Sequence, residues 1–517
     1  MNKLRCTLLL TASIMGFLSA DSCATAKRQA GAGPLQARAR PLNVLLITAD
    51  DLGLQPSSYG NTAIRTPSID KLAASGVQFD IAYVAQASCS SSRAAMFTGL
   101  FVHSNGQYGL TNASDFSLHP HLHSATIPNI LKRAGYRTGI IGKLHVAPEE
   151  SFQFDKDGLE GVSMFDVSHR DVRRFAQFAD EFITEAGDKP FFLMMNYADP
   201  HAYDPAASQG SWNPTFLDQM KGIPEKLVEP SEKTILPFQQ IDTSEQRKRV
   251  AGYYNEVLRL DVGIGMVMDV LERRRHTDDT LVIFIGDNGP PFDRGKATAY
   301  EAGLRVPFIV RWPGVSKPMR SRAMVSTVDI LPTIIDAARA EPAVEMHGRS
   351  LRPVVSAANV PWREYLVGEF HMHGRPFFPR RGIRDQRYKL IHNLLAGKVT
   401  PSRRIDGDLG YRLSQEVQYK NTDVGRAFDT FANPPAFELY DLENDPWEFH
   451  NLAGQAKHKE VQERMTRALL KWRKETNDPF LDPGFLEKLA TQVNKTGSSP
   501  KSVNLPEGLG IQGHRGS

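Results

Sequence analysis

Four times along the chain a short apolar run stops abruptly in acids, amides, lysine or histidine. Residues 43–48 run into Asp50 and Asp51, 138–142 into Lys143 and His145, 191–195 into Asp199 and His201, and 281–285 into Asp287 and Asn288. Continuous apolar runs of this length are the pattern of strands buried on both faces of a helix-covered sheet. In open α/β sheets, ligands collect beyond the carboxyl ends of such strands. The four polar clusters, far apart in sequence, are therefore expected to converge on one crevice. Between the runs the period changes to that of a helix. Val257, Leu260, Ile264, Val267, Met268 and Leu271 share one face, and Arg273, Arg274 and Arg275 follow in the last turn, where cations suit the helix dipole and solvent.

From about residue 366 the texture becomes short strands in Gly/Pro-rich loops (384–394, 437–442), followed by an amphipathic helix over 460–474. This predicts a catalytic domain at 42–365 and a smaller α+β domain at 366–517. At the other end, Lys3 and Arg5 precede an apolar stretch over 8–18 and then Ala24-Thr25-Ala26, the layout of a secretory signal peptide at 1–26. Residues 27–41 read as a flexible leader. The stretch is too short for a membrane span, so a periplasmic or secreted protein with no membrane span is expected. Removing the peptide takes Cys6 and Cys23 with it and leaves Cys89 without a disulfide partner. The near balance of 62 basic and 58 acidic side chains lacks the basic excess that nucleic-acid binding requires, so no nucleic-acid partner is expected.

The adjacent carboxylates of Asp50 and Asp51 repel each other, and sharing a hard divalent cation relieves that repulsion. Taken alone, the pair would fit a turn and a helix N-cap equally well. Asp287-Asn288-Gly289 adds a carboxylate, an amide oxygen and a glycine that lets the backbone turn sharply. Two oxygen clusters together point to calcium or magnesium, and no Cys/His spacing suggests structural zinc. Cys89 opens the run C-S-S-S-R-A-A-M-F-T-G-L, where a helix N-terminus and Arg93 one turn on would favour an anionic nucleophile. A buried structural thiol is the alternative.

The run C-S-S-S-R followed by A-A-M-F-T-G-L resembles the signature of the type I sulfatases, C-x-P/A-x-R, and departs from it at Ser91. Within that family, H-S-N-G-Q-Y-G-L from His103, G-I-I-G-K-L-H from Gly139, A-D-P-H from Ala198 and T-L-V-I-F-I-G-D-N-G from Thr280 are most similar to the heparan N-sulfatases, or sulfamidases. The C-terminal stretches Y-K-L-I-H-N-L and E-L-Y-D-L-E-N-D-P-W-E-F-H-N-L-A agree. The resemblance implies an α/β, alkaline-phosphatase-like fold: a large mixed sheet between helices, with a smaller C-terminal α+β domain. It also implies that a formylglycine-generating or maturase enzyme converts Cys89 to Cα-formylglycine, whose hydrate attacks sulfur. By the same resemblance Asp50, Asp51, Asp287, Asn288 and the modified Cys89 hold calcium, with magnesium as the alternative. Arg93 would hold the nucleophile. Lys143 and Lys296 would bind sulfate oxygens, Arg294 being a competitor for the second place. His145 and His201 would exchange protons with nucleophile and leaving group, with His201 favoured as the acid.

The implied substrate is a sulfated poly- or oligosaccharide of the heparan N-sulfate type. An O-sulfated algal polysaccharide such as ulvan is the alternative within the family. A phosphatase or phosphodiesterase on the same sheet, and a catalytically silent glycan-binding protein, are alternatives outside it. His103, His371, His373, Arg375 and the Arg380-Arg381 pair are expected to contact an anionic sugar, since arginine forks suit carboxylates and sulfates.

Overall fold

In the computed structural model, which describes residues 41–207, 213–403 and 405–495, each of the four apolar runs is a strand of one large sheet. The signal peptide and all of the leader but Pro41 lie outside the described residues. The eight strands of this sheet are β1 (Asn43–Ala49), β2 (Val77–Phe79), β3 (Arg137–Gly142), β4 (Lys156–Asp157), β5 (Phe191–Tyr197), β6 (Thr280–Gly286), β7 (Phe308–Arg311) and β8 (Met319–Ser321). Their order is β4-β3-β5-β1-β6-β7-β2-β8. The central neighbours β3, β5, β1 and β6 are parallel, whereas β7 runs antiparallel to β6 and to β2. The sheet is thus mixed, with its carboxyl-end edge built from the four runs that carry the polar clusters.

Every residue of β1, β5 and β6 is buried, and alternate side chains enter different cores. The main helices are α1 (Cys89–Thr98), α2 (Val172–Ala186), α3 (Ser244–Arg273), α4 (Ile330–Ala338) and α5 (Lys459–Glu475). Leu45, Ile47, Leu193 and Phe284 pack with Phe175 and Phe178 of α2 and Val257, Leu260 and Ile264 of α3. Val44, Leu46, Phe192 and Ile283 face the other way, onto Ile330 and Ile334 of α4. Covering both faces is what permits strands that are apolar throughout rather than alternating. At the end of α3, Arg273 and Arg274 reach solvent-exposed ion pairs with Asp180.

The second sheet is antiparallel in the order β9 (Leu366–Phe370), β10 (Arg380–Arg384), β11 (Tyr388–Asn393) and β12 (Phe437–Asp441). Met465 and Leu469 of α5 pack on Ile383, Leu390 and Leu439, and the same cluster takes in Ala95, Val102 and Tyr108. The boundary near residue 365 therefore separates two sheets that share a core, and from Pro41 on the chain forms one compact unit. No helix among the described residues is long and apolar enough to cross a membrane.

A buried ionic cluster ties the segment that follows α1 to the second sheet, and it claims residues expected to touch sugar. His103 Nδ1 lies 2.8 Å from Glu369 Oε2, and its Nε2 lies 3.1 Å from the Thr476 carbonyl. Arg381 donates to both oxygens of Asp478 at 2.9 Å and stands 3.6 Å from Glu369. His371 Nδ1 pairs with Gln86 Oε1 at 2.7 Å. His103, His371 and Arg381 are buried and do not line the cavity described below, so their expected role as sugar contacts is corrected. Their acid partners lie far away in sequence or on a strand with no motif, which hides the pairing from a local reading.

Burial alone would raise the Glu369 carboxyl, but His103 and Arg381 outweigh it and hold the group down from 4.5 to about 2. A depressed carboxylate stabilises the fold above its unfolded pKa and loses that contribution as pH falls through the folded value. Stability drawn from Glu369 should therefore be complete above pH 4.5 and vanish between 4.5 and 2. Glu369→Gln should cost about 3 kcal/mol at pH 7, because it leaves Arg381 and His103 short of a buried partner. It should also flatten the acid limb between those pH values. Scanning calorimetry at pH 7, 4.5 and 3 checks both, and an unchanged melting temperature at pH 7 would show that the pair contributes nothing.

Candidate active site

The residues that follow β1, β3, β5 and β6 meet the N-terminus of α1 at one edge of the large sheet. Cys89 is the first residue of α1, and its Sγ lies 3.3 Å from Asp50 Oδ1 and 4.0 Å from Asp51 Oδ1. Arg93, one turn along, does not turn to the thiol. Its Nε donates to Asp287 Oδ2 at 2.9 Å and its Nη1 to the Lys143 carbonyl at 2.9 Å. Lys143 Nζ donates to Asp50 Oδ2 at 2.6 Å. Lys296 Nζ bridges Asp51 Oδ2 at 2.9 Å and Asp406 Oδ2 at 2.7 Å. His201 Nε2 stands 3.8 Å from Asp51 Oδ2, while its Nδ1 meets the Ala202 carbonyl at 2.6 Å.

Some of the chain's strained backbone lies here. Asp51, His145, Ala297 and Asp406 all adopt positive φ (66°, 56°, 61° and 43°), a region that non-glycine residues occupy at a cost met by surrounding structure. Gly142, at φ 96°, brings the chain over β5 so closely that a Cβ would lie 2.0 Å from the Asn196 carbonyl. This places Lys143 above the acids. Gly289 lies in the backbone bend expected after this strand and also serves close contact, since a Cβ there would sit 1.8 Å from the Ala302 carbonyl.

The electrostatics differ from the sequence reading at Cys89. Burial and the Asp50 carboxylate push the thiol well above its ordinary value, against the lowering that a helix N-terminus and a nearby arginine would bring. An unmodified thiol is thus a poor nucleophile at this position. Burial would raise Asp50, but Lys143 and Arg93 hold its carboxyl well below the usual range. Asp51 is pushed up by burial and by Asp50 in spite of Lys296, and Asp287 rises to about 6 by burial and Asp50. Burial and Lys296 lower His201 to about 3, and burial with Lys143 lowers His145 well below 6.5. Both shifts favour the neutral imidazole.

The donor set fits a hard divalent cation. Asp50, Asp51 and Asp287 each present a carboxylate oxygen within 4.8 Å of the others. Asn288 donates from Nδ2 to Asp51 Oδ1 at 2.7 Å, which leaves its Oδ1 buried with no donor. Three crowded carboxylates and an orphaned amide oxygen form an all-oxygen set of the kind calcium and magnesium take.

These side chains open on a cavity of about 760 Å³. Asp50, Cys89, Lys143, His145 and His201 line one part of it. His373, Arg375, Arg380 and Asp406 come from the C-terminal half of the chain. His373 Nδ1 lies 2.9 Å from Ser88 Oγ, next to Cys89 in the chain. The competition between Arg294 and Lys296 resolves by geometry. Arg294 turns away to the Trp447 and Glu448 carbonyls at 2.8 Å, and Lys296 faces the acids. Asp406 was missed by sequence reasoning. It sits in a loop without apolar period, and only its tight Asp-Gly step hinted at a constrained turn.

Two family models match the chain: Sulfatase over residues 42–340, and N-sulphoglucosamine sulphohydrolase, C-terminal, over 291–399. The N-sulphoglucosamine sulphohydrolase of Homo sapiens is 33% identical over 485 residues, covering 88% of this chain and 95% of the human protein. An ulvan-active sulfatase of Formosa agariphila is 29% identical over 447 residues, covering 84% of this chain and 80% of that protein. Among solved structures, one of a protein in complex with its substrate D-glucosamine-2-N,6-O-disulfate superposes with a TM-score of 0.63 at 22% identity. The match covers 85% of this chain and 98% of that one.

Proposed function

The chain belongs to the sulfatase family, and we propose that it removes the N-sulfate from glucosamine residues of a sulfated glycosaminoglycan, using a Cα-formylglycine made from Cys89 and a calcium ion at the acid cluster. As a family member it is an enzyme, a hydrolase of sulfate esters or sulfamates. The observation that carries the narrower substrate is the second family match. Residues 291–399, which match the sulphoglucosamine sulphohydrolase C-terminal model, contribute Lys296, His373, Arg375 and Arg380 around the cavity. The ulvan-active relative matches at lower identity and coverage. Export through residues 1–26 to the periplasm or the medium belongs to the same proposal, because a polymeric substrate is met outside the cytoplasm.

Asp50, Asp51, Asp287 and Asn288 would hold the cation. When present, the cation and the formylglycine supply an activated hydroxyl and a polarised sulfate oxygen where the thiol offers neither. The chain's own side chains do the rest. Lys143 lines the cavity as a point charge for sulfate, and Lys296 adds positive potential from behind Asp51. Arg93 fixes the Asp287 carboxylate and the backbone at Lys143. His201, with Nδ1 on the Ala202 carbonyl, keeps Nε2 as its proton-accepting atom. Lys296 and Lys143 help to hold that imidazole neutral, and an entering sulfate offsets both charges. His201 can then gain a proton and pass it to the departing amine, which leaves poorly as an anion.

The test is sulfate release from N-sulfated glucosamine set against ulvan oligosaccharides, with the products identified by mass spectrometry. We expect kcat/KM to favour the N-sulfate by about 100-fold or more, since a site built to pair with a polar leaving group rejects its analogue strongly. Preference for ulvan would overturn the substrate and leave the family standing.

A further inference from the structure

The cavity wall includes a cation that no described residue neutralises. Arg380, the first residue of β10, is 3% exposed and lines the cavity together with Phe370 and Phe378. Its guanidinium carbon lies 4.9 Å from the Phe378 ring centre and 5.7 Å from that of Phe370. Among the described residues it makes no ion pair and its guanidinium donates no hydrogen bond, and Nε is buried and unsatisfied. Three other buried arginines are matched by carboxylates, Arg381 on Asp478, Arg384 on Glu301 and Arg259 on Asp199, and Arg294 donates to two backbone carbonyls. Glu438, one of the groups whose charge reaches Arg380, is already taken by Tyr300, Tyr440 and Asn393 at 2.8, 2.6 and 2.7 Å.

A buried guanidinium without a carboxylate is costly, and aromatic faces compensate only in part. Among the described residues nothing meets its remaining donors, and the cavity that it lines offers them a ligand. We propose that Arg380, held on Phe370 and Phe378, binds an anionic substituent of the saccharide other than the sulfate being cleaved, either a uronate carboxylate or a second sulfate. A guanidinium fork donates bidentately to either. The inference rests on the reading of the substrate as a sulfated saccharide. It makes Arg380 a specificity-determining residue that selects multiply charged sugars over singly charged ones.

The experiment measures binding without turnover. Wild-type protein, Arg380→Met and Arg380→Lys are titrated calorimetrically with glucosamine, glucosamine 6-sulfate and a uronate-glucosamine disaccharide, none of which carries an N-sulfate. The wild type should bind at least one of the two anionic ligands about tenfold or more tightly than glucosamine, and the ligand that gains identifies the substituent. Arg380→Met should erase the difference, and Arg380→Lys should keep part of it. The melting temperature of Arg380→Met should equal or exceed that of the wild type, because an unpaired buried charge is removed. Three results would overturn the proposal: no measurable preference in the wild type, a preference that survives in Arg380→Met, or a lower melting temperature with equal loss for all three ligands. Because no step requires catalysis, a protein that shows the preference yet releases no sulfate from N-sulfated glucosamine would keep the Arg380 site and lose only the substrate proposed above.

Discussion

Alanine in place of Cys89 is expected to cut sulfate release by about 10⁴-fold or more, the range seen when a covalent nucleophile is removed, and to leave the fold intact. Cys89 is 1% exposed and its Sγ touches the Asp50 and Asp51 carboxylates. Truncation removes one atom from the cavity wall and strands no polar partner, since Lys143 still holds Asp50. Activity assays with calorimetry separate the two effects, and wild-type turnover by Cys89→Ala would sink the nucleophile assignment. The depth of Cys89 adds a condition on maturation. No enzyme can grip C-S-S-S-R in the native state, because Ser90, Ser91, Ser92 and Arg93 are all fully buried as well. The proposed conversion to the aldehyde would therefore precede folding. Co-expression with a formylglycine-forming enzyme should therefore yield active protein, whereas adding that enzyme to folded, unconverted protein should not. Mass spectrometry of the peptide spanning residues 89–93 reads the outcome.

The apolar runs made the centre of the sheet legible. An uninterrupted apolar run too short for a helix suits a strand covered on both faces and little else, and such runs mark β1, β3, β5 and β6. The short strands β2, β4, β7 and β8 carry two to four residues each, too few to show a period. The acids, Lys143 and His201 were legible because each terminates a run. Asp406 was not, because only the tertiary fold brings its loop to Lys296. His103, His371 and Arg381 misled for the opposite reason. A charged or imidazole side chain near glycines suggests an exposed loop, while here each is neutralised or bonded by a residue that local sequence cannot pair with it. The Cys89 thiol shows the same limit in electrostatic form. Helix and arginine are visible in the sequence, but the burial and the adjacent Asp50 that together reverse the shift are properties of the fold.

That adjacency of carboxylates also supports the second large effect. Chelation should abolish turnover and lower the melting temperature, and calcium should restore both. At one hundred times its Kd, an ion bound only by the native state adds about 2.7 kcal/mol. Asp51→Asn is the informative variant, because Lys296 keeps Asp406 as a partner at 2.7 Å when Asp51 loses its charge. Removing one of three mutually repelling carboxylates then costs the metal-free protein little, while a donor to the cation is lost. We expect Asp51→Asn to hold the metal-free melting temperature near that of the wild type, to weaken calcium affinity by about 100-fold, and to reduce sulfate release at least as far. Affinity in the wild type should also fall as pH drops below about 6, because burial and Asp50 raise Asp287 to that value and the cation binds only its ionised form. A wild type whose melting temperature ignores calcium, or an Asp51→Asn protein that responds as strongly as the wild type, would remove the cation from this cluster. The same outcome would leave the orphaned Asn288 oxygen without a partner to account for it.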